Sequence, residues 1–278
     1  MSRRPVSRLL LPIVAVLGCS APAISDEDCG ESVILRMMSY NLANEQGEKL
    51  DVIAAHIINT DPDFIAVQEC ACTELLDRLP DKYQITEDPQ SGVTIVYNQD
   101  VWLKLNTDFV TLGQNDDGWG DRVLHWARFS HRDTGHCVNV YSTHFCVPIR
   151  NTDDQCDEAK QLSYLDKSLD FIQQRQSPMA PSLFAGDFNV FVGFEDGEVV
   201  RSLKAEGFVD TLREFDATDQ GPTFRGNSWA PAGRIDYIFA TSPSVDLLDG
   251  YVDRESVPDG QGSDHFALIS TLRFSLPR

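Results

Sequence analysis

The chain has 278 residues, of which 42% are hydrophobic and 24% charged, a composition typical of a soluble globular protein with one large domain or two small ones. With 43 acidic and 23 basic residues, its formal net charge is −20. This charge argues against high-affinity binding to the backbone of duplex DNA, which normally needs a basic face. It does not exclude cleavage of a polyanion where a bound divalent cation reverses the local field.

Residues 1–25 are predicted to be a cleaved signal peptide. Three arginines precede a short apolar run at 9–18, and Ala-Pro-Ala at 21–23 fits a cleavage site. The sequence Val-Leu-Gly-Cys that ends at Cys19 leaves a second possibility, a lipoprotein-type leader with a lipid anchor on Cys19. Because the apolar run is too short for a permanent membrane span, we expect an exported protein that is secreted, periplasmic or lipid-anchored. Its mature chain, 26–278, is expected to have no transmembrane helix.

Six of the seven cysteines lie beyond this leader, an even number that suggests up to three disulfides in an exported chain. Cys146 and Cys156 bracket a polar loop and are the first pair expected to bond. Cys70 and Cys72 are expected not to bond with each other, because a single residue separates them.

Apolar runs of four to eight residues predict strands, and apolar residues spaced by three or four predict helices. Strands and helices are mixed without a strict βαβ alternation, which favours a layered α/β sandwich of antiparallel or mixed sheets with helices outside. In chain order, the predicted elements are strand 33–40, helix 49–59, strand 63–69, helix 72–79, strands 83–86, 93–97, 123–129 and 137–143, helix 157–174, the apolar run 178–185, helix 195–205, and strands 234–240 and 266–274.

Several polar residues share one kind of position, the end of a strand-like apolar run. They are Asn41, Glu69, His144, Asp187 with Asn189, Asp236, and Asp264 with His265. Carboxylate and amide oxygens suit Mg²⁺ or Ca²⁺. Imidazoles serve as general acid, general base or phosphate donor near neutral pH. The pattern therefore indicates strand ends that converge on one metal-dependent site.

Individual residues in this set suggest particular roles. Asp236 can orient His265, fix its tautomer and support its imidazolium form. Asp187 and Asn189 are two residues apart and would share a face of an extended segment. Arg122, at the start of a predicted strand, can bind a phosphate or pair with nearby acids.

The polar strand ends belong to six short segments, which are Ser39-Tyr40-Asn41-Leu42, Ala66-Val67-Gln68-Glu69, Ser142-Thr143-His144, Gly186-Asp187-Phe188-Asn189, Arg234-Ile235-Asp236-Tyr237-Ile238 and Gly262-Ser263-Asp264-His265. Taken in order, these segments resemble the endonuclease/exonuclease/phosphatase superfamily, which includes pancreatic-type deoxyribonucleases, abasic-site endonucleases, neutral sphingomyelinases and inositol-phosphate phosphatases. The resemblance covers nearly all of the mature chain. It implies an α+β fold, a four-layer sandwich in which two mainly antiparallel sheets pack face to face with helices outside.

The resemblance also implies a metal site. Glu69 would hold the catalytic Mg²⁺, for which Mn²⁺ or Ca²⁺ are alternatives. Asn41 would help at the metal or the phosphate, and Asp264 would lie beside the metal. Arg122 would bind the substrate phosphate.

The remaining motif residues would act on the reacting groups. His144 would donate to the phosphate, and Asp187 would position or activate the attacking water. Asn189 would steady the transition state. Asp236 would orient His265, which contacts the scissile phosphate or acts as base.

These expectations together predict a monomeric, exported, metal-dependent hydrolase that cleaves phosphodiester bonds with an activated water and is most similar to nucleases. No Ser or Cys nucleophile motif is present, which agrees with a water nucleophile. A lipid or small-molecule phosphodiesterase or phosphatase, sphingomyelinase-like or inositol-phosphate-like, is the alternative. A non-catalytic binding protein on the same scaffold is a third possibility, which the complete motif set disfavours.

Overall fold

The computed structural model describes residues 32–87, 91–114, 120–148, 156–177, 180–190, 197–216, 218, 221–228, 230–241 and 245–274. The predicted signal peptide 1–25, including Cys19, and Cys29 lie outside these ranges. Within them, no helix is both long enough and apolar enough to cross a membrane.

Twelve strands and five helices make up the described part of the chain. In chain order they are β1 (Val33–Asn41), α1 (Gly47–Thr60), β2 (Phe64–Gln68), α2 (Cys72–Leu76), β3 (Tyr83–Ile85), β4 (Thr94–Asn98), β5 (Trp102–Gly113), β6 (Arg122–His131), β7 (Cys137–His144), α3 (Glu158–Gln173), β8 (Ser182–Asp187), α4 (Glu198–Ala205), β9 (Val209–Asp210), α5 (Thr211–Phe215), β10 (Asp236–Thr241), β11 (Val245–Asp253) and β12 (Ala267–Phe274).

The strands form two six-stranded sheets, in the orders β11-β12-β1-β2-β4-β3 and β5-β6-β7-β8-β10-β9. In each sheet one central pair is parallel, β1 with β2 and β7 with β8. All other neighbouring strands are antiparallel. The predicted α+β class with two mainly antiparallel sheets is therefore confirmed.

Alternating side chains explain the four layers, because successive residues of a strand point to opposite faces. On β1, Leu35 and Met37 pack between the two sheets, whereas Met38 and Tyr40 pack on the other face. Helix α1 covers that outer face with buried residues at helical spacing, among them Ile53 and Ile57. Helices α3 and α4 cover the outer face of the second sheet in the same way.

The sequence patterns missed β5, β9, β11 and the short helix α5. Strands β5, β9 and β11 lie at edges of the two sheets. An edge strand has fewer buried neighbours, so it needs no continuous apolar run. Most residues of β5 are accordingly exposed or half-buried.

Among the described residues there are two disulfides, one expected and one not. Cys146–Cys156 confirms the predicted pair, with its Cα atoms 5.9 Å apart. The expectation that Cys70 and Cys72 do not bond with each other was wrong. The backbone turns between β2 and α2, which brings their Cα atoms to 4.9 Å, within the range that a disulfide spans.

His125 makes folding stability depend on pH. Burial, reinforced by the positive charge of Lys104, lowers its pKa to about 4, and Nε2 lies 2.8 Å from Thr86 Oγ1. An unfolded histidine titrates near its ordinary value of about 6.5, so the unfolded chain binds more protons between these two values. Stability contributed by the neutral ring is thus present above about pH 6.5 and falls as the pH drops to about 4.

We expect this contribution to reach about 3 kcal/mol of unfolding free energy lost across that window. Urea denaturation at several pH values measures it directly. His125→Gln, which cannot titrate, should flatten this part of the stability profile. The matched change His131→Gln, at a half-buried position on the same strand, should leave the profile as steep as in the wild type. Equal slopes for wild type and His125→Gln would contradict the prediction.

Candidate active site

The polar strand ends meet at one edge of the sandwich. Parallel pairing aligns Asn41 with Gln68, the residue before Glu69, and His144 with Asp187. The antiparallel partner strand β10 begins at Asp236 directly opposite Asp187. A cleft of about 490 Å³ opens here. Seven of the nine predicted site residues line it, namely Glu69, Arg122, His144, Asp187, Asn189, Asp264 and His265.

Asn41 is fully buried beneath the cleft and connects the two sheets. Its Nδ2 donates to Glu69 Oε1 and to Asp187 Oδ2, each at 3.0 Å. Its Oδ1 accepts the backbone N–H of Ala43 at 2.9 Å. In this arrangement the Asn41 amide positions two carboxylates. Its direct ligation of a metal stays a prediction.

Asp236 and His265 form the pair that the sequence predicted. Asp236 Oδ2 lies 2.9 Å from His265 Nδ1, and Asp236 is fully buried. The backbone N–H of Asp236 donates to Thr223 Oγ1 at 3.0 Å. The ring of Phe224 lies 5.0 Å from the imidazole, centroid to centroid. The Thr223 hydroxyl thus holds the backbone of Asp236, and the ring of Phe224 packs against the imidazole of His265.

Ser263 fixes the segment that carries His265. Its Oγ donates to the backbone carbonyl of Asn41 at 2.7 Å and accepts the N–H of His265 at 3.0 Å. No sequence pattern predicted a role for Ser263 or Thr223. Both act through hydrogen bonds to backbone atoms of other segments, for which a single sequence carries no local signal.

Asp187 lies between the two imidazoles. Its Oδ2 is 3.5 Å from His144 Nε2 and 3.8 Å from His265 Nε2. Its Oδ1 accepts the backbone N–H of Asn189 at 2.9 Å. Asn189 has a left-handed backbone, with φ 50°, and its side-chain nitrogen donates to the carbonyl of Phe145 at 3.0 Å. This turn presents Asp187 and Asn189 together at the cleft wall.

Burial and neighbouring charges shift the pKa values of three site residues. Burial and then the charge of Asp236 raise the pKa of Asp187 to about 7. Burial alone would lower the pKa of His265, but Asp236, Asp187 and Asp264 outweigh it and raise that pKa to about 10. Burial and the positive charges of Arg122 and His265 hold the pKa of His144 well below its ordinary value. Near neutral pH, His265 is therefore an imidazolium and His144 a neutral imidazole.

Arg122 and Asp264 also line the cleft, although they come from segments far apart in the sequence. Arg122 is buried at the first position of β6 and lines the cleft. Asp264 is the most open of the carboxylates, with a side chain that is 45% exposed, and its Oδ1 lies 3.9 Å from His265 Nε2. The arrangement gathers carboxylates able to bind a cation and cationic groups able to bind a phosphate.

The site therefore combines hard oxygen ligands, a buried carboxylate able to accept a proton, an imidazolium and a guanidinium. Such a set can hold a divalent cation, activate a water and stabilise negative charge on phosphate oxygens. Together with the four-layer sandwich, these features define a phosphoester hydrolase.

The particular family follows from comparison with known proteins. The model of the Endonuclease/Exonuclease/phosphatase family matches residues 38–265, and the chain belongs to this family. Its members are phosphoester hydrolases and are generally dependent on divalent metals. No curated protein matches the chain significantly.

Solved structures show the same fold at low sequence identity. An endonuclease/exonuclease/phosphatase family protein from Bacteroides thetaiotaomicron has a TM-score of 0.67 and 21% identity, covering 89% of this chain and 100% of its own. The mannosyl-6-phosphatase Bt3783 of B. thetaiotaomicron VPI-5482 has a TM-score of 0.65 and 23% identity, covering 86% of this chain and 99% of its own. D. rerio TDP2 complexed with single strand DNA product has a TM-score of 0.65 and 17% identity, covering 86% of this chain and 98% of its own.

Proposed function

We propose that the protein is a divalent-metal-dependent phosphodiesterase, nuclease-like in its chemistry, that hydrolyses its substrate with an activated water. The observation that carries this proposal is the position of Asp187. This buried carboxylate lies within 4 Å of both imidazoles and is hydrogen-bonded to Asn41, which also holds Glu69. A base, a cationic partner and a metal-binding carboxylate thus converge on one wall of the cleft.

The donor set fits a hard divalent cation. Mg²⁺ commonly uses one or two carboxylates and keeps several waters. Glu69 is suited to this role because its side chain is 34% exposed at the cleft while amide groups of Asn41 and Asn44 hold its two oxygens. Asp264 would support the ion from the other side. Mg²⁺, with Mn²⁺ or Ca²⁺ as alternatives, would supply charge neutralisation at the phosphate when bound.

A second group of residues has the spacing of a metal site. Asp187, Asp236 and His265 each bring a ligand atom within 4.8 Å of the others. We favour Glu69 as the principal ligand because its side chain is 34% exposed at the cleft, whereas Asp187 and Asp236 are buried and Asp236 already engages His265 Nδ1. The buried trio is better suited to proton transfer.

The proposed roles of the chain's own residues follow from these contacts. Asp187, with its raised pKa, accepts a proton from the attacking water at Oδ2. His265, kept cationic by Asp236, contacts the phosphate. His144, as a neutral imidazole, donates a hydrogen bond to a phosphate oxygen, and Arg122 adds a guanidinium charge.

The size and charge of the cleft favour a second candidate, a phosphatase or phosphodiesterase of small polar esters. The cleft volume of about 490 Å³ matches a small molecule. Among the described residues that line it, Arg122 is the single Lys or Arg. The chain as a whole carries a net charge of −20, which disfavours long contacts with a polyanion.

Export and a monomeric state are also part of the proposal. The signal-like N-terminus and two disulfides support export, because disulfides persist in oxidising compartments. Expression of the full chain followed by fractionation and mass spectrometry of the mature N-terminus tests export and also whether Cys19 is lipidated.

A substrate panel tests the proposed activity. Purified protein is incubated with DNA, RNA, sphingomyelin, bis-p-nitrophenyl phosphate, phosphorylated inositols and a sugar 6-phosphate, each with Mg²⁺, Mn²⁺ or Ca²⁺. We expect hydrolysis of at least one diester, abolished by EDTA, restored by added metal and lost in His265→Ala. Cleavage of monoesters or small diesters, without cleavage of DNA or RNA, would favour the second candidate. No EDTA-sensitive hydrolysis of any substrate would refute both.

A further inference from the structure

The segment after Glu69 contains the unexpected disulfide, Cys70–Cys72. We propose that this disulfide is a positioning element for the metal site: it holds the backbone turn that presents the Glu69 carboxylate to the cation. The inference rests on the proposed function, in which Glu69 is the principal metal ligand. It assigns to the cysteine pair a role in metal affinity in addition to stability.

The turn at Glu69 adopts a backbone conformation that a glutamate rarely takes. Its φ is 49°, in the left-handed region, where a residue with a long side chain is uncommon and persists when its surroundings enforce it. The Glu69 carbonyl accepts the N–H of Asn44 at 2.9 Å, and the N–H of Cys70 donates to the carbonyl of Gly92 at 3.1 Å. Hydrogen bonds thus fix the turn from two neighbouring segments.

The side chain of Glu69 is held as well as its backbone. Asn41 Nδ2 donates to one carboxylate oxygen at 3.0 Å, and Asn44 Nδ2 lies 3.2 Å from the other. Asn44 itself has a left-handed backbone, with φ 52°. Both amides reach Glu69 only while the turn keeps its position, so a shift of the turn would detach the carboxylate from its two donors.

The disulfide is the covalent part of this arrangement. Cys70 and Cys72 are both buried, and Cys72 is the first residue of α2, which packs into the same hydrophobic cluster as α1. The bridge therefore ties the residue directly after Glu69 to a fixed helix. Because it closes a ring with a single intervening residue, it restricts the unfolded chain less than the ten-residue separation of Cys146–Cys156 does. Its main effect is local, on the backbone that carries Glu69.

The experiment measures Mn²⁺ affinity, a readout that does not depend on turnover. Titrations followed by the electron paramagnetic resonance signal of free Mn²⁺ compare the full-length wild type, Cys70→Ser/Cys72→Ser and the matched control Cys146→Ser/Cys156→Ser. We expect about a tenfold rise in the Mn²⁺ dissociation constant for the first variant, the lower end of the range for groups that orient a metal ligand. We expect the control to change it less than twofold, although its Tm should fall further.

Glu69→Gln separates this inference from the function on which it rests. If Glu69 is the ligand, Glu69→Gln weakens Mn²⁺ binding, and removing the cysteine pair in that background adds little more, because the pair acts through Glu69. Unchanged Mn²⁺ binding in Glu69→Gln would refute the metal assignment itself. Weaker binding in Glu69→Gln with wild-type affinity in folded Cys70→Ser/Cys72→Ser would refute the role of the disulfide alone.

Folding is checked by circular dichroism and thermal unfolding. Cys70→Ala/Cys72→Ala serves as a second variant, which keeps both buried positions apolar. Loss of the fold in both double variants would overturn the proposal, because the disulfide would then be required by the whole domain and not by the turn at Glu69. A folded variant with lowered Mn²⁺ affinity, and with kcat recovered at saturating Mn²⁺, is the expected result.

Discussion

Replacing Asp236 by Asn is expected to lower kcat by about 1,000-fold while changing KM by less than about threefold. Asp236 is fully buried, its Oδ2 lies 2.9 Å from His265 Nδ1, and its other oxygen has no hydrogen-bond donor. The carboxylate thus has the imidazole as its main partner, and its charge favours the imidazolium form of His265. An amide of the same shape keeps the packing but removes that charge.

Steady-state kinetics on the best substrate of the panel, with Tm as a check of folding, measures this effect. Asp246→Asn is the matched control, since Asp246 is an exposed residue of β11 and should leave kcat unchanged. A variant with wild-type kcat would show that the negative charge of Asp236 is not needed for the action of His265 on the phosphate.

Replacing Glu69 by Gln is expected to lower the rate at a fixed, subsaturating Mg²⁺ concentration by about 100-fold or more. A metal ion supplies several kcal/mol of charge stabilisation to a phosphoryl transition state, and about 3 kcal/mol corresponds to that factor. The Gln side chain can still accept the hydrogen bond from Asn41 Nδ2, which is 3.0 Å long in the wild type, but its amide nitrogen cannot accept the bond from the exposed Asn44 Nδ2. The substitution therefore removes the negative charge and one exposed hydrogen bond while it keeps the size of the side chain.

Two further measurements test whether the lower rate of Glu69→Gln comes from weaker metal binding. Raising the Mg²⁺ or Mn²⁺ concentration should recover part of the activity of Glu69→Gln, because the defect lies in binding. Glu74→Gln changes an exposed glutamate on α2, five residues along the chain, and should behave like the wild type. Activity that is independent of metal concentration in wild type and Glu69→Gln alike would contradict the assignment of Glu69.

The convergence of the strand ends could be predicted from the sequence because one pattern marks both the strands and the site residues. A buried apolar run that ends on a carboxylate or an imidazole marks both a strand and a site residue, as at Glu69 and His144. The edge strands β5 and β11 carry no such signature. They need few buried side chains, so their composition resembles that of loops.

The supports of the site were harder to predict than its reactive groups. Ser263 holds the backbone carbonyl of Asn41, 222 residues away, and Thr223 holds the backbone N–H of Asp236, 13 residues away across a loop. The orientation of the Asn41 amide is decided by the N–H of Ala43 on one side and two carboxylates on the other. These contacts form only in the folded chain, so the composition and periodicity of the sequence do not predict them.

The wrong expectation for Cys70 and Cys72 has the same origin. The expectation assumed that a single residue between two cysteines leaves too little backbone for a disulfide to close. The left-handed turn at Glu69 and the start of α2 at Cys72 replace the extended backbone between them. A backbone that departs from regular structure next to a functional residue is a feature that strand periodicity cannot show.

The hydrogen bond from Ser263 to Asn41 joins residues 222 positions apart, and β12 pairs with β1 along its length. A ribosome-bound chain that has not yet reached residue 265 already contains Glu69 and Asp187 but lacks the imidazole partner of Asp236. Under the proposed function, a chain that ends before residue 265 therefore cannot complete the site, although it contains every other proposed site residue except Asp264 when it ends at Asp236. We expect such truncated chains to be inactive, because the last pairing of the first sheet, β12 between β1 and β11, follows directly after His265.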